Sequence, residues 1–310
     1  MNRIITLTMN PTIDRSTSVE NVAAEQKLRC DAPRLEPGGG GVNVSRAIHR
    51  LGGESLAIYP AGPPIGDLLQ ELLAEEGIHQ RTHSIAEPTR QNLMVKDETS
   101  GQQYRFNMPG PKLSREEWQK YLTMVGEDLE RGDYVVASGS LPRGVPHDFY
   151  ARLAVVVHEH DGRMALDTSE EELCLAAEEG VYLLKPNMRE LAHLAGEEIE
   201  SEEHAIEVAQ DLVNKGKAQV VVVSLGAGGA LWVSKDQMEY VRAPTVSIKS
   251  KIGAGDSMVA GIVLSLARGK TVRDAVLFGV AAGSAAVMTP GTELCRREDT
   301  ERLYARMQER

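Results

Sequence analysis

Short apolar runs separated by amphipathic stretches set the rhythm of this chain. Ile4 to Leu7, Glu54 to Ala61, Tyr134 to Ala137, Met164 to Leu166, Tyr182 to Leu184 and Val220 to Leu225 are too short for helices. They are rich in β-branched and aliphatic residues, the pattern of strands buried on both faces. Asp67 to Glu76 and Ser114 to Glu130 instead space their apolar residues as helices do, and the second opens with a Ser-x-x-Glu capping box. Such alternation predicts an α/β fold built on a mostly parallel sheet. Each apolar run stops at polar residues: Asn10-Pro11-Thr12-Ile13-Asp14, Ser138-Gly139-Ser140, Asp167 and Lys185-Pro186-Asn187. Open parallel sheets bind ligands beyond the carboxyl ends of their strands, so these residues are predicted to share one edge.

The rhythm breaks in two places. Residues 15–35 have no helical period, and Arg90 to Lys96 and Gln103 to Asn107 flank Asp97-Glu98-Thr99-Ser100-Gly101, a hairpin signature. Together the segments 15–35 and 90–108 predict a small antiparallel sheet, a lid inserted into one domain spanning 1–310. Lys27 and Arg29, two apart, would share one face of a strand there, or stand as solvated charges on an edge. Arg90 has the planar fork that grips phosphate, and equally suits a plain surface position. Leu231 to Val233 and Glu239 to Arg242 suggest further strands, and Ala275 to Met288, too short to span a bilayer, reads as a buried helix.

Two glycine-rich stretches bring in chemistry. Gly253-Ala254-Gly255-Asp256 leads directly into an apolar helical run. Glycines let backbone N–H groups approach an anion, and a helix start aims its unpaired amides and positive dipole end at the same point. Asp256, in the first turn, is placed to take a proton from an attacking hydroxyl. As a lone match the segment is also an ordinary helix start. Pro37-Gly38-Gly39-Gly40-Gly41-Val42-Asn43 opens another helix but fits neither the dinucleotide fingerprint nor a P-loop. It could let a sugar lie against bare backbone, with Asn43 bonding its hydroxyls. Asp14 could bind two sugar hydroxyls or close an Asx turn. Asn187 and Glu190, three apart at a helix start, could orient magnesium-bound water or simply cap the helix. Gly226 to Gly229, after the Val220 strand, could form a turn that admits a purine or a diphosphate.

Composition narrows the partners. With 34 Lys and Arg against 45 Asp and Glu, the 310-residue chain carries a formal charge of −11. That argues against a general binder of nucleic acid or anionic membrane, and requires any phosphate to be held locally. Cys30, Cys174 and Cys295 are far apart and outside metal spacing, as expected of reduced thiols in a cytoplasmic protein.

In their order along nearly the whole chain, Asn10 to Asp14, Gly38 to Asn43, Lys185 to Glu190, Ser224-Leu225-Gly226 and Gly253 to Asp256 resemble the PfkB-type sugar kinases of the ribokinase superfamily. Lys27 to Cys30, Glu36 to Val44, Thr89 to Leu93 and Gln103 to Gly110 are similar to the bacterial type-B 6-phosphofructokinase branch. The resemblance implies a three-layer ribokinase-like fold, a lid that doubles as a homodimer interface, and Mg-ATP-dependent phosphorylation of the 1-hydroxyl of fructose 6-phosphate. It implies that Asp256 is the base and Gly253, Ala254 and Gly255 the anion hole. Asp14, Gly38, Gly39, Asn43 and Ser140 would hold the sugar, with Arg90, Lys27 and Arg29 on its phosphate. Lys185, Asn187, Ser224, Gly226 and Gly229 would belong to ATP, Glu190 to magnesium water, and Ser250, Ile252, Ala286 and Gly291 to a loop for a potassium ion. Ile248, Arg189, Thr289 and Glu293 depart from the branch's pattern. Thr8-Met9-Asn10-Pro11 also resembles 1-phosphofructokinases and tagatose-6-phosphate kinases, the alternative substrates. A catalytically silent sugar or nucleotide sensor is the contrasting class, and the intact Asp256 segment argues against it.

Overall fold

The computed structural model describes residues 2–309. In chain order the strands are β1 (Ile4–Leu7), β2 (Thr12–Val19), β3 (Arg34–Gly38), β4 (Leu56–Ala61), β5 (His79–Ser84), β6 (Arg90–Asp97), β7 (Gln103–Phe106), β8 (Tyr134–Ser138), β9 (Arg163–Asp167), β10 (Val181–Leu184), β11 (Ala218–Ser224), β12 (Gly229–Ser234) and β13 (Met238–Arg242). The helices are α1 (Gly40–Arg50), α2 (Ile65–Glu75), α3 (Arg115–Asp128), α4 (Phe149–Glu159), α5 (Glu170–Glu178), α6 (Met188–Ala195), α7 (Glu202–Asn214), α8 (Ala254–Ala267), α9 (Val272–Ala286) and α10 (Arg297–Gln308).

Nine strands form the main sheet in the order β13-β12-β11-β10-β9-β8-β1-β4-β5, parallel from β11 to β5, with β12 antiparallel to both its neighbours. Side-chain alternation sorts its two faces. Ile5, Leu7, Val135, Val221 and Val223 enter one apolar cluster with α3, α4, α5 and α7. Ile4, Val136, Val220 and Val222 enter the other with α1, α8, α9 and α10. The result is helices on both faces of a sheet, the ribokinase-like three-layer architecture.

β1 lies between β8 and β4, so the chain leaves it toward β4 and returns on its other side at β8. That reversal opens a crevice beyond the carboxyl ends of β1 and β8, where open α/β sheets bind ligands.

α8 is buried over almost its whole length, from Ser257 to Ala267. It crosses α9 at glycines: a Cβ on Gly261 would lie 2.9 Å from the Gly279 Cα. The close crossing holds the first turn of α8 in place at the crevice.

A second sheet, ordered β3-β2-β6-β7, stands beside the main one. Its outer pairings are antiparallel, but its central pair β2–β6 is parallel, because β6 arrives after the α2–β5 crossover rather than through a hairpin.

Two sequence expectations change here, and one strand had no sequence signal. Asp14 lies within β2, not in a loop, because Thr12 and Ile13 continue extended pairing with both β3 and β6. Lys27 and Arg29 fall in the exposed irregular stretch between β2 and β3 and share no strand face, since β2 already has a partner on each edge. β5, His-Gln-Arg-Thr-His-Ser, carries no apolar signal because it is the sheet's edge.

Candidate functional site

Gly253 caps α8 with φ 72°, and a Cβ there would meet Leu294 Cδ2 at 2.5 Å. Both the left-handed backbone and the contact beneath it demand glycine. The N–H groups of the first turn, without intrahelical partners, open toward the crevice. A Cβ on Gly255 would stand 3.9 Å from Lys185 Nζ, which places that buried ammonium beside the helix start.

Lys185 follows β10 and forms an ion pair of 3.0 Å with Asp167, at the end of neighbouring β9. Burial pulls the Lys185 pKa down. Asp167, by charge and hydrogen bond, and then Glu190 and Asp256 outweigh it, so the group is held above its ordinary value and stays cationic.

Asp256 accepts a hydrogen bond of 2.9 Å from the Asn43 amide on α1. It keeps a partial opening to solvent, yet the protein packed around its carboxylate pushes its pKa up to about 7. Burial is the largest cause and the Asp167 and Asp14 charges add to it, against the Asn43 hydrogen bond and Lys185. A carboxylate at about 7 is half ionised near neutrality, the condition for an effective general base.

Asp14 lies opposite Glu36 on one side and Asn92 on the other. The Asn92 amide donates to it at 3.0 Å. Burial raises its pKa, with Glu36 adding and Asn92, Arg90 and Arg46 opposing.

Arg90 donates to the Asn10 carbonyl at 2.9 Å and the Met108 carbonyl at 3.3 Å. Its Nε is a buried donor with no partner among the described residues, as are the Thr8 hydroxyl and the Asn10 Oδ1 as polar atoms. Buried polar groups are seldom left unpaired, and these three are enclosed by the protein rather than open to solvent. Ser140, exposed after β8, accepts from the Asn10 amide at 3.2 Å.

The glycine run is shaped mainly by the protein itself. A Cβ on Gly38 would strike the Asp14 carboxylate, one on Gly40 would lie 2.8 Å from the Gly139 N, and one on Gly41 2.6 Å from the Leu7 carbonyl. Gly39, with φ 107°, would meet Thr8 Cγ2 at 2.8 Å. These glycines let α1 start against the ends of β1 and β8, which brings Asn43 to Asp256.

Beyond the end of β10, Asn187 caps α6 in a reciprocal box: its side chain accepts from the Glu190 N–H, and Glu190 Oε2 accepts from the Asn187 N–H, each at 2.9 Å. Burial pushes the Glu190 pKa up. Ser224 donates its N–H to the Pro186 carbonyl at 2.8 Å, tying β11 to this segment.

Gly226 is exposed with φ 58° and nothing within 4 Å of a Cβ there. Gly229 is the buried first residue of β12, where a Cβ would clash with the Val241 carbonyl and approach Ala243 N at 2.6 Å, so strand pairing requires glycine there. Asn92, Asn10 and Thr8 were missed in sequence. The spacing of Arg90 and Asn92, two apart and hence on one strand face, was a signal that could have found Asn92.

No group of three His, Cys, Asp or Glu among the described residues can hold a metal directly. The donors suit a magnesium ion that keeps its waters and its hold on nucleotide phosphates, with Glu190 behind it. In the loop after α9, the Ala286 carbonyl accepts from the Thr289 hydroxyl and the Gly291 carbonyl from the Ser250 hydroxyl, both at 2.7 Å. The Ala286 carbonyl also accepts from the Thr289 N–H at 3.1 Å, so of these two only the Gly291 carbonyl retains a lone pair for a cation.

The chain is 45% identical over 306 residues to the ATP-dependent 6-phosphofructokinase isozyme 2 of Escherichia coli, covering 98% of this chain and 99% of that one. Crystal structures of phosphofructokinase-2 from Escherichia coli, at 44% identity and covering 99% of this chain and 100% of theirs, superpose with TM-scores of 0.97 for the complex with potassium and 0.95 for the complex with fructose-6-phosphate. The model for pfkB family carbohydrate kinases matches residues 2–299, and the chain belongs to that family.

Proposed function

We propose that this protein is an ATP-dependent 6-phosphofructokinase, transferring the γ-phosphoryl group of ATP to the 1-hydroxyl of fructose 6-phosphate to give fructose 1,6-bisphosphate and ADP. The observation that carries the reading is the pairing of Asp256, its pKa pushed up to about 7, with the glycine-capped start of α8 above the buried Lys185. Asp256, oriented by Asn43, takes the hydroxyl proton as the new O–P bond forms and the bond to the ADP oxygen breaks. The amides of the α8 start and the Lys185 ammonium receive the charge of the transferring group. Phosphoryl transfer needs mainly this alignment and charge stabilisation.

Magnesium on the ATP phosphates would neutralise charge there, with Glu190 holding one of its waters. Asp14 and Asn43 take sugar hydroxyls, and the Arg90 guanidinium supplies the positive charge for the sugar phosphate. The nucleotide lies along Lys185, Asn187, Ser224 and Gly226. A potassium ion beside the anion site would take the Gly291 carbonyl in the loop of Ser250, Ile252, Ala286 and Gly291, and would reach the Ala286 carbonyl only by displacing a Thr289 donor.

The second sheet serves as the lid. Phe106 and Met108 are 49% and 43% exposed on or beside it, and Leu28 is exposed in the β2–β3 connection, which supports pairing with a second copy of the chain through this sheet. The test is ADP release with Mg-ATP on fructose 6-phosphate, tagatose 6-phosphate, fructose 1-phosphate, fructose and ribose. The highest kcat/KM on fructose 6-phosphate is the expected result. Preference for fructose 1-phosphate or an unphosphorylated sugar would refute the Arg90 assignment, and no turnover on any of them would refute catalysis.

A further inference from the structure

Glu36 is a buried carboxylate with no part in the chemistry above. It lies on β3 directly opposite Asp14 of β2, so the two side chains stand on the same face of the second sheet. Its Oε2 accepts a hydrogen bond from the Thr292 hydroxyl, 256 residues away in sequence, and both residues are buried. Arg34 approaches its other oxygen at 3.5 Å but is exposed, so that pair contributes little.

Thr292 belongs to the loop that supports the anion site. Its neighbour Gly291 accepts from the Ser250 hydroxyl, whose oxygen accepts in turn from the Ile252 N–H at 3.2 Å, and Leu294 lies under Gly253. The end of β3 is fixed from the opposite side: the Pro37 carbonyl accepts at 2.8 Å from the buried Arg46, which forks onto Glu76 at 2.8 and 2.6 Å. β3 is therefore anchored to α1 and α2 at one side and joined to the anion-site loop at the other by the Glu36–Thr292 bond.

We propose that the Glu36–Thr292 hydrogen bond is a positioning contact that couples sugar-phosphate binding at Asp14 and Arg90 to the geometry of Gly253–Gly255. Asp14 and Glu36 are register partners, so a sugar that draws Asp14 into place carries Glu36 with it, and Thr292 transmits the shift to the loop beneath Gly253. Each substrate then tightens the binding of the other, as linkage requires. The proposal rests on the kinase reading above, and its test is separable from that one.

Binding of magnesium β,γ-imido-ATP to the full chain is measured with and without saturating fructose 6-phosphate. In the parent the sugar phosphate tightens the analogue about 5-fold or more, the lower end of ordinary site–site coupling. Thr292→Val, nearly isosteric, brings the ratio close to one and lowers kcat, and Thr292→Ser restores both. Thr292→Ala serves if the valine variant folds poorly. An unchanged ratio in folded Thr292→Val or Thr292→Ala, a parent ratio of one, or failure of Thr292→Ser to restore it overturns the proposal, even if the melting temperature falls. Failure of the kinase reading would show differently, as a parent enzyme that does not turn over fructose 6-phosphate.

Discussion

Replacing Asp256 with asparagine separates two consequences of one buried carboxylate. The substitution keeps the shape and an oxygen for the Asn43 amide but removes the base. General-base catalysis contributes about 10²–10⁴ in rate, so kcat should fall by that factor, equivalent to about 2.7–5.5 kcal/mol of barrier. Substrate binding should change little, because the residue acts on a proton rather than holding charge. In the parent, kcat/KM should rise with pH through about 7 and level off above it, since the base works only when ionised in the free enzyme. Asp256→Asn should flatten that limb.

Stability should move the opposite way. Raising the pKa from 3.8 to about 7 means the folded protein binds a proton the unfolded chain has already released. The folded state is therefore penalised progressively from about pH 4 to 7 and fully above that, by at most about 4 kcal/mol. The partial opening of Asp256 to solvent makes this a ceiling. Asp256→Asn should thus melt at a higher temperature than the parent at pH 8 and at nearly the same temperature at pH 4. Steady-state kinetics and thermal melts across pH read both effects. Near-parental kcat would remove Asp256 from the base role, and a parent profile flat from pH 6 to 8 would refute the assigned pKa.

Arg90→Ala should raise KM for fructose 6-phosphate by at least about tenfold, as expected for a charge-assisted hydrogen bond of 1.5–3 kcal/mol, and leave KM for ATP nearly unchanged; equal effects on both substrates would sink the assignment. Lys185→Met should leave Asp167 and Asp256 facing each other without their shared cation, moving the acid limb of kcat/KM above pH 7 and weakening ATP; an unmoved limb would refute the cluster. Gly253→Ala should cost about 1–3 kcal/mol of stability through the left-handed backbone alone, measured by denaturant unfolding. Phe106→Glu combined with Met108→Glu should shift the sedimentation coefficient toward the monomer, and an unchanged coefficient would exclude this face as the dimer contact.

How much of this was legible in the sequence depended on whether a residue's signal was local. β1 was read with its observed bounds, and the Ser114 capping box forms as read, because apolar runs and caps are decided by near neighbours. Asp256 was placed in the first turn for the same reason: glycine freedom and a following apolar run are both local. The edge strand β5 was not legible, since a polar edge strand is defined by the neighbour it pairs with. Lys27 and Arg29 failed as strand residues because pairing partners are allotted in three dimensions, and both edges of β2 were already taken.

The glycine run shows most clearly where sequence reading reaches its limit. A glycine marks a backbone that something approaches closely, but the sequence does not say whether the visitor is a ligand or the protein. At Gly255 the space leads to Lys185 Nζ and remains open, as an anion site requires. At Gly40, Gly41 and Gly229 the same residue type is consumed by strand ends and strand pairing. Their service to the site is indirect: by seating α1 against β1 and β8, Gly40 and Gly41 bring Asn43 within 2.9 Å of a carboxylate 213 residues further along the chain. Enlarging Gly41 would force α1 away from the Leu7 carbonyl and so move Asn43 off Asp256. A substitution that never touches substrate should therefore lower kcat more than it raises either KM.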